Sequence, residues 1–343
     1  MKKLLNTLYI TSSDRYLSLD GENVVVLEGK TQIGRVPLHN LSAIITFGYT
    51  GASPALMGAC AKRNIALSFL SPHGEFLARI TGEVRGNVTL RKEQYRLSES
   101  ESASVDIARN FIVGKLYNAR WVVERVTRDN AMRIDKEHFK EISRRLQSSL
   151  ENAAACDSLD RLRGIEGEAA SLYFSIFDDM ILQQKEDFHF DLRNKRPPLD
   201  PVNALLSFTY TLLSGMCASA LETVGLDSYV GYLHRDRPGR ISLALDLMEE
   251  FRSVLADRFV LTLINKRVVS ADGFKRRENG AIVMDEETRK KVLTAWQTKK
   301  QETLVHPFLE EKVEWGMVPY AQAMLLARFI RGDLDAYPPF MWK

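Results

Sequence analysis

The chain has 343 residues, of which 45% are hydrophobic and 27% charged. That is ordinary globular composition, and the length allows two domains with cores of their own. The net charge is only +3, so bulk charge does not mark a nucleic-acid binder, and any basic surface must be local. The three cysteines, Cys60, Cys156 and Cys217, are odd in number and far apart, with no Cys-x-x-Cys. This excludes a disulfide framework and a zinc ribbon, and it fits a reducing, cytoplasmic compartment. The opening "MKKLLNTLYITSSDR" breaks its apolar run at Asn6 and Thr7 without a small-residue cleavage site, so no signal peptide is expected.

Residues 4–36 alternate apolar and polar in short runs, with Asp20-Gly21 and Glu28-Gly29 as turn signals. Further strands are expected over 41–48, 65–71 and 74–80, and a helix over 53–64. The polar stretch "SESESAS" (98–104) reads as a linker or hinge, with Ser102 or Ser104 able to cap the next helix. Helical spacing then predicts helices over about 105–126, 134–154 and 158–186. The loop "FHFDLRNKRPPLDP" (188–201) ends with Asp200 as cap and Pro201 as first helical residue. Val202 to Leu221 carries no charge over a membrane-span length. Its Asn203, Tyr210, serines and threonines favour a buried central helix instead. A helix over about 241–266, a hairpin at Asn279-Gly280 and helices over about 285–302 and 318–331 complete the pattern, with Gly332 ending the last. The expected class is therefore α+β. A small N-terminal β-rich domain (1–97) and a linker (98–104) precede a larger all-α domain (105–343).

Within "RLRGIEGEAASLYF" (161–174), an apolar stripe runs through Leu159, Leu162, Ile165, Ala169, Tyr173 and Ile176 at 100° per residue. Glu166 lies inside that stripe, whereas Glu168 lies on the far side and should be solvated. A buried carboxylate needs a cation, a metal or a proton, so an internal salt bridge to an arginine is the competing account of Glu166. In the helix from 241, Ser242, Asp246, Glu249 and Ser253 share one face. Asp246 and Glu249 are i,i+3 neighbours whose repulsion a divalent cation would relieve; a solvated acidic face is the alternative. Upstream, "YLHRDRPGRISL" (232–243) places His234 before Arg235, Arg237 and Arg240 around a Pro-Gly turn. Guanidiniums on such a turn suit phosphate oxygens. Arg193 and Arg196 of "LRNKRPP" form a second basic run, which fits either a solvated linker or a phosphate contact. Two carboxylates on one helix (Asp246 and Glu249), one inward carboxylate on another (Glu166) and one histidine (His234) make an oxygen-and-imidazole metal site that suits Mn²⁺ or Mg²⁺.

With these motifs in hand, the chain resembles the CRISPR-associated integrase (Cas1) family over nearly its whole length. "GIEGEAASLYF", "RPPLDPVNALLSFTYTLL" and "GYLHRDRPGRISLALDLMEEFR" are similar to that family's motifs in order, closest to members from subtype I-C systems. The resemblance implies a metal-dependent DNA endonuclease and integrase of CRISPR adaptation. Glu166, His234 and Glu249 would be metal ligands, and Asp246 a further catalytic acid. Glu249 stands where many members have aspartate. The resemblance also implies double-stranded DNA as substrate, a homodimer joined through the β-rich domains, and a small partner, Cas2, bridging two dimers. Two rivals remain: a non-catalytic DNA-bridging scaffold of the same fold, and a metal-dependent phosphoesterase for a small substrate.

Overall fold

A computed structural model describes residues 7–41, 43–71, 76–80, 82 and 88–343. Strand β1 (Thr7–Ile10) leads into a meander of β2 (Arg15–Asp20), β3 (Asn23–Glu28) and β4 (Thr31–Pro37), whose neighbours pair antiparallel. Gly21 at φ +57° and Gly29 at φ +59° take the left-handed conformation that both tight turns need. Next come β5 (Ala43–Phe47), α1 (Pro54–Lys62), β6 (Ala66–Leu70) and β7 (Phe76–Ile80). β5 runs parallel to β1 and β6, and β7 closes the sheet antiparallel in the order β1-β5-β6-β7. Helix α1 makes the crossover that two parallel strands require, capped by Ser53 with Pro54 in its first turn. Leu17, Val24, Ile44, Leu56, Cys60 and Leu67 fill the core between meander, sheet and helix.

The polar stretch 98–104 is mostly helical. Helix α2 (Val88–Glu99) meets α3 (Glu101–Asp129) at a break of one residue, where Ser100 accepts from the Ala103 N–H. Serine, glutamate and alanine are all tolerated in helices, so their polarity signalled exposure and capping rather than extended chain. The Ser104 hydroxyl donates to the Leu97 carbonyl and closes the corner. Then come α4 (Lys136–Ala154), α5 (Leu159–Ser175) and α6 (Pro201–Thr223). Asp200 caps α6 through the Asn203 N–H, as expected. By length and composition α6 could cross a membrane, but it lies in the middle of the fold, with Leu205, Leu206, Leu213, Cys217 and Leu221 fully buried.

The helix expected over 241–266 is interrupted. It starts as α7 (Ser242–Met248), tightens to a 3-10 turn at Glu249–Phe251, widens to a π-helical stretch at Arg252–Asp257, and resumes as α8 (Arg258–Asn265). Such π stretches recur at functional sites because they rephase the side chains that follow. The C-terminal region is not all-α. β8 (Phe274–Arg276) and β9 (Ile282–Met284) form the expected hairpin around Gly280 at φ +80°. After α9 (Glu286–Gln301), a second ribbon pairs β10 (Thr303–Val305) with β11 (Lys312–Glu314) before α10 (Val318–Ile330). These three-residue strands are too short to show a period in the sequence. Phe47, Leu70 and Leu90 join the large helical core, and Arg79 pairs with Glu222 of α6, so the β-rich region is docked on the helices.

Candidate active site

Glu166 projects from the middle of α5, half-buried, while Glu168 is exposed near Arg145. The two glutamates are thus inequivalent, as the stripe predicts. Gly164 and Gly167 flank Glu166, and a Cβ at either would meet nothing within 4 Å. No neighbouring element of this chain therefore demands a glycine there. Each costs the helix roughly 1 kcal/mol against alanine, and they leave bare backbone beside the carboxylate.

Lys115 is the residue the sequence did not single out. It sits on α3 with 9% of its surface exposed. Its ammonium pairs with Glu166 Oε1 and stands 2.8 Å from Glu249 Oε2. Two carboxylates from separate helices thus converge on one cation. Glu249 lies at the junction of α7 and the 3-10 turn and is 2% exposed, while Asp246 is 0% exposed, which rules out a solvated acidic face. Burial alone would raise the Glu249 carboxyl, but Arg252, Lys115 and His234 outweigh it and hold it down to about 2. The Arg252 guanidinium sits 2.9 Å from Glu249 Oε1. Oε2, close to Lys115 but outside hydrogen-bond geometry, is buried and unsatisfied. The expected i,i+3 repulsion with Asp246 is met by separate partners for each acid.

Asp246 is fully engaged. Its Oδ2 accepts from the Tyr232 and Leu233 N–H groups at 2.6 and 3.0 Å, and its Oδ1 from the His234 N–H at 3.0 Å. His234 Nδ1 lies 2.6 Å from the same Oδ1. An ionised carboxylate only accepts, so Nδ1 carries a proton, and in the neutral tautomer this selects, Nε2 is the nitrogen able to bind a metal. Asp246 therefore folds the loop and sets the ring's tautomer. The loop passes so close that a Cβ at Gly231 would meet Asp246 Oδ2 at 2.9 Å and Ser242 Cβ at 2.8 Å.

The donors available for a metal are Glu166, Glu249 Oε2 and His234 Nε2. Carboxylates that already converge on one cation, beside an oriented imidazole, fit a hard divalent cation. Among the described residues, no group of three His, Cys, Asp or Glu is gathered into ligand positions; Lys115 fills the gap between the two glutamates.

A groove of about 860 Å³ opens beside this centre, lined by His234, Arg237, Arg240, Arg193, Lys195, Arg196 and Arg252. Burial, then the positive charges of Arg252, Arg193, Arg196 and Arg240, lower the Lys195 ammonium, so the groove is crowded with cations and suits a polyanion. Gly239 at φ +74° turns the chain between Arg237 and Arg240. Arg193 is tied down, donating to Asn203 Oδ1 at 2.7 Å and Ser207 Oγ at 3.1 Å, with its guanidinium over Tyr210. Arg235 turns the other way and pairs with exposed Asp160 on α5 at 3.0 Å. Of the five arginines singled out, four line the groove and Arg235 does not.

Two further buried acids lie nearby. Burial pushes Glu250 up to about 8, although Tyr337, Phe340 and Gln322 donate to it. Burial likewise raises Asp257 to about 6, with the Tyr210 hydroxyl 2.6 Å away. Helical spacing could not place Asp257, since it ends the π stretch that breaks the helical phase.

A family profile described as "CRISPR associated protein Cas1" matches residues 8–298. A CRISPR-associated endonuclease Cas1 from Rhodospirillum rubrum is 51% identical over the full length of both chains. Among solved structures, a casposase bound to an integration product shares the fold with a TM-score of 0.83 at 22% identity, covering 98% of this chain and 94% of that one. A chain of a Cas6-RT-Cas1–Cas2 complex also scores 0.83, at 21% identity, covering 98% of this chain and 36% of that one.

Proposed function

The chain belongs to the Cas1 family of CRISPR-associated proteins, and on that premise we propose that it is a metal-dependent DNA endonuclease and integrase of CRISPR adaptation. The observation that carries the mechanism is the convergence of Glu166 and Glu249 on one cation beside an oriented His234. Glu166, Glu249 and His234 would hold a divalent metal, Mn²⁺ or Mg²⁺ by the oxygen-and-imidazole donor set. When bound, such a metal supplies charge neutralisation at the phosphate and at the departing oxygen. Asp246 acts through His234 by fixing its ring orientation and holding the proton on Nδ1, which leaves Nε2 for the metal. Arg237, Arg240, Lys195 and Arg196 position the backbone of double-stranded DNA without reading its sequence. With a spacer 3′-OH as nucleophile, a new O3′–P bond forms at the repeat boundary and the target strand's P–O3′ bond breaks, the freed oxygen taking a proton. The number of phosphodiester bonds is conserved; with water as nucleophile the same site cuts.

We also assign residues 1–97 to a dimerisation domain, residues 98–104 to the join, and residues 105–343 to the catalytic domain. Edge strand β7 exposes Phe76 and Leu77, which supports pairing of two copies there. The fold shared with a chain of the Cas6-RT-Cas1–Cas2 complex supports a Cas2 partner. The motif resemblance supports kinship with subtype I-C members, and the three unpaired cysteines support a reducing, cytoplasmic compartment. The test is half-site integration of a duplex with 3′-OH ends: Glu166→Ala should abolish it, and full activity would reject the mechanism.

A further inference from the structure

A lysine between two proposed metal ligands is an odd choice for a binding site. Lys115 sits among the buried Phe111, Ile112, Leu116 and Ala119 of α3, where an ammonium is costly unless it is paired. It lies between Glu166 and Glu249, so it competes for the oxygens a metal would use. A divalent ion there and an ammonium a few ångströms away repel strongly in a partly buried site. One of them has to leave.

The structure offers the lysine another place. A cavity of about 60 Å³ adjoins it, lined by Lys115, Glu166, Tyr210, Ser253 and Asp257. A water-sized group needs only about 10–15 Å³, and the four-carbon lysine stem turns easily. Inside are the carboxylate of Asp257 and the hydroxyl of Ser253, which is buried and has no hydrogen-bond partner. Arg252, which also borders the cavity, stays on Glu249 Oε1, so moving Lys115 frees Glu249 Oε2 and Glu166 Oε1.

We propose that Lys115 is a displaceable internal counter-ion. It neutralises Glu166 and Glu249 until a divalent metal enters, then swings into the adjoining cavity, where Asp257 and Ser253 receive it. This rests on the metal site proposed above. Lys115 touches no reacting atom; it acts on the site only by competing with the metal for the Glu166 and Glu249 oxygens.

The test is Mn²⁺ titration by calorimetry on full-length protein without DNA, for wild type, Lys115→Met, Asp257→Asn, the double variant and Glu166→Ala. Lys115→Met should bind Mn²⁺ roughly tenfold more tightly, since its competitor is gone. Asp257→Asn should bind roughly tenfold more weakly when Lys115 is present, and as tightly as its parent when residue 115 is methionine. Equal weakening by Asp257→Asn in both backgrounds overturns the proposal, and so does unchanged or weaker binding by Lys115→Met. Should Lys115→Met fail to melt cooperatively, Lys115→Gln is titrated in its place against the same criteria. If the wild type takes up no Mn²⁺, or Glu166→Ala binds as wild type does, the metal site itself falls and takes this proposal with it.

Discussion

Replacing Asp246 with asparagine changes one atom, yet the geometry makes it a severe substitution. Both carboxylate oxygens accept two hydrogen bonds each, from the N–H groups of Tyr232, Leu233 and His234 and from His234 Nδ1. The amide brings one NH₂ group, which has to face donors whichever way it turns. At the Oδ2 position it strands the Tyr232 and Leu233 N–H groups. At the Oδ1 position it strands the His234 N–H and forces Nδ1 to accept, which moves the ring proton to Nε2. Hydrogen bonds to a charged group are worth about 1.5–3 kcal/mol each, and the cheaper orientation still loses one and neutralises the acceptor of the rest. Asp246→Asn should therefore cost about 1.5 kcal/mol or more in urea unfolding. With the loop loosened or the tautomer reversed, Mn²⁺ affinity should fall at least roughly tenfold. A variant with wild-type stability and wild-type Mn²⁺ affinity would refute the role given to Asp246.

Two other expectations follow from the same geometry. Burial lifts Glu250 from 4.5 to about 8, so between those values the folded chain keeps a proton that the unfolded chain releases. Wild-type stability from this group therefore falls as pH rises through that window, by at most about 1.4 kcal/mol per pH unit. Glu250→Gln cannot ionise, so its stability relative to wild type should climb from pH 5 to pH 9; parallel profiles would contradict this. In the groove, Arg237→Ala should lower the salt dependence of duplex binding by about 0.9 in log–log slope. Arg235→Ala should leave the slope unchanged, because Arg235 is turned to Asp160, and an equal loss in both variants would show the groove is misplaced.

Much of the fold was legible where the sequence carried a clear period or a strong stop. The Asp20-Gly21 and Asn279-Gly280 turns, the Asp200-Pro201 helix start and the Gly332 helix end all match the structure. The inward aim of Glu166 followed from its phase in the apolar stripe, whereas the shared face of Asp246 and Glu249 fitted a solvated acidic surface equally well, and only the structure shows both buried. What the sequence hid has physical causes. Polar residues at 98–104 looked like a linker because helix caps and loops use the same residue types. The β10–β11 ribbon, with three-residue strands and no Asn-Gly or Asp-Gly turn to announce it, is below the length at which alternation can be seen. Lys115 stood out in no pattern, because one charge in a long helix looks like any exposed lysine until the opposing carboxylates are in place. Arg235 shows the opposite error, since proximity along the chain to Arg237 and Arg240 did not place it in their groove.

The most direct test of the account is half-site integration into a repeat-bearing target, with the Cas2 partner present, comparing wild type with His234→Ala and Glu166→Ala in Mn²⁺, in Mg²⁺ and in excess chelator. The account predicts strand joining by wild type in the presence of metal, none in chelator, and loss of several orders of magnitude in both variants while duplex binding at low salt persists. Joining by either variant at the wild-type rate, or by wild type in chelator, would contradict it.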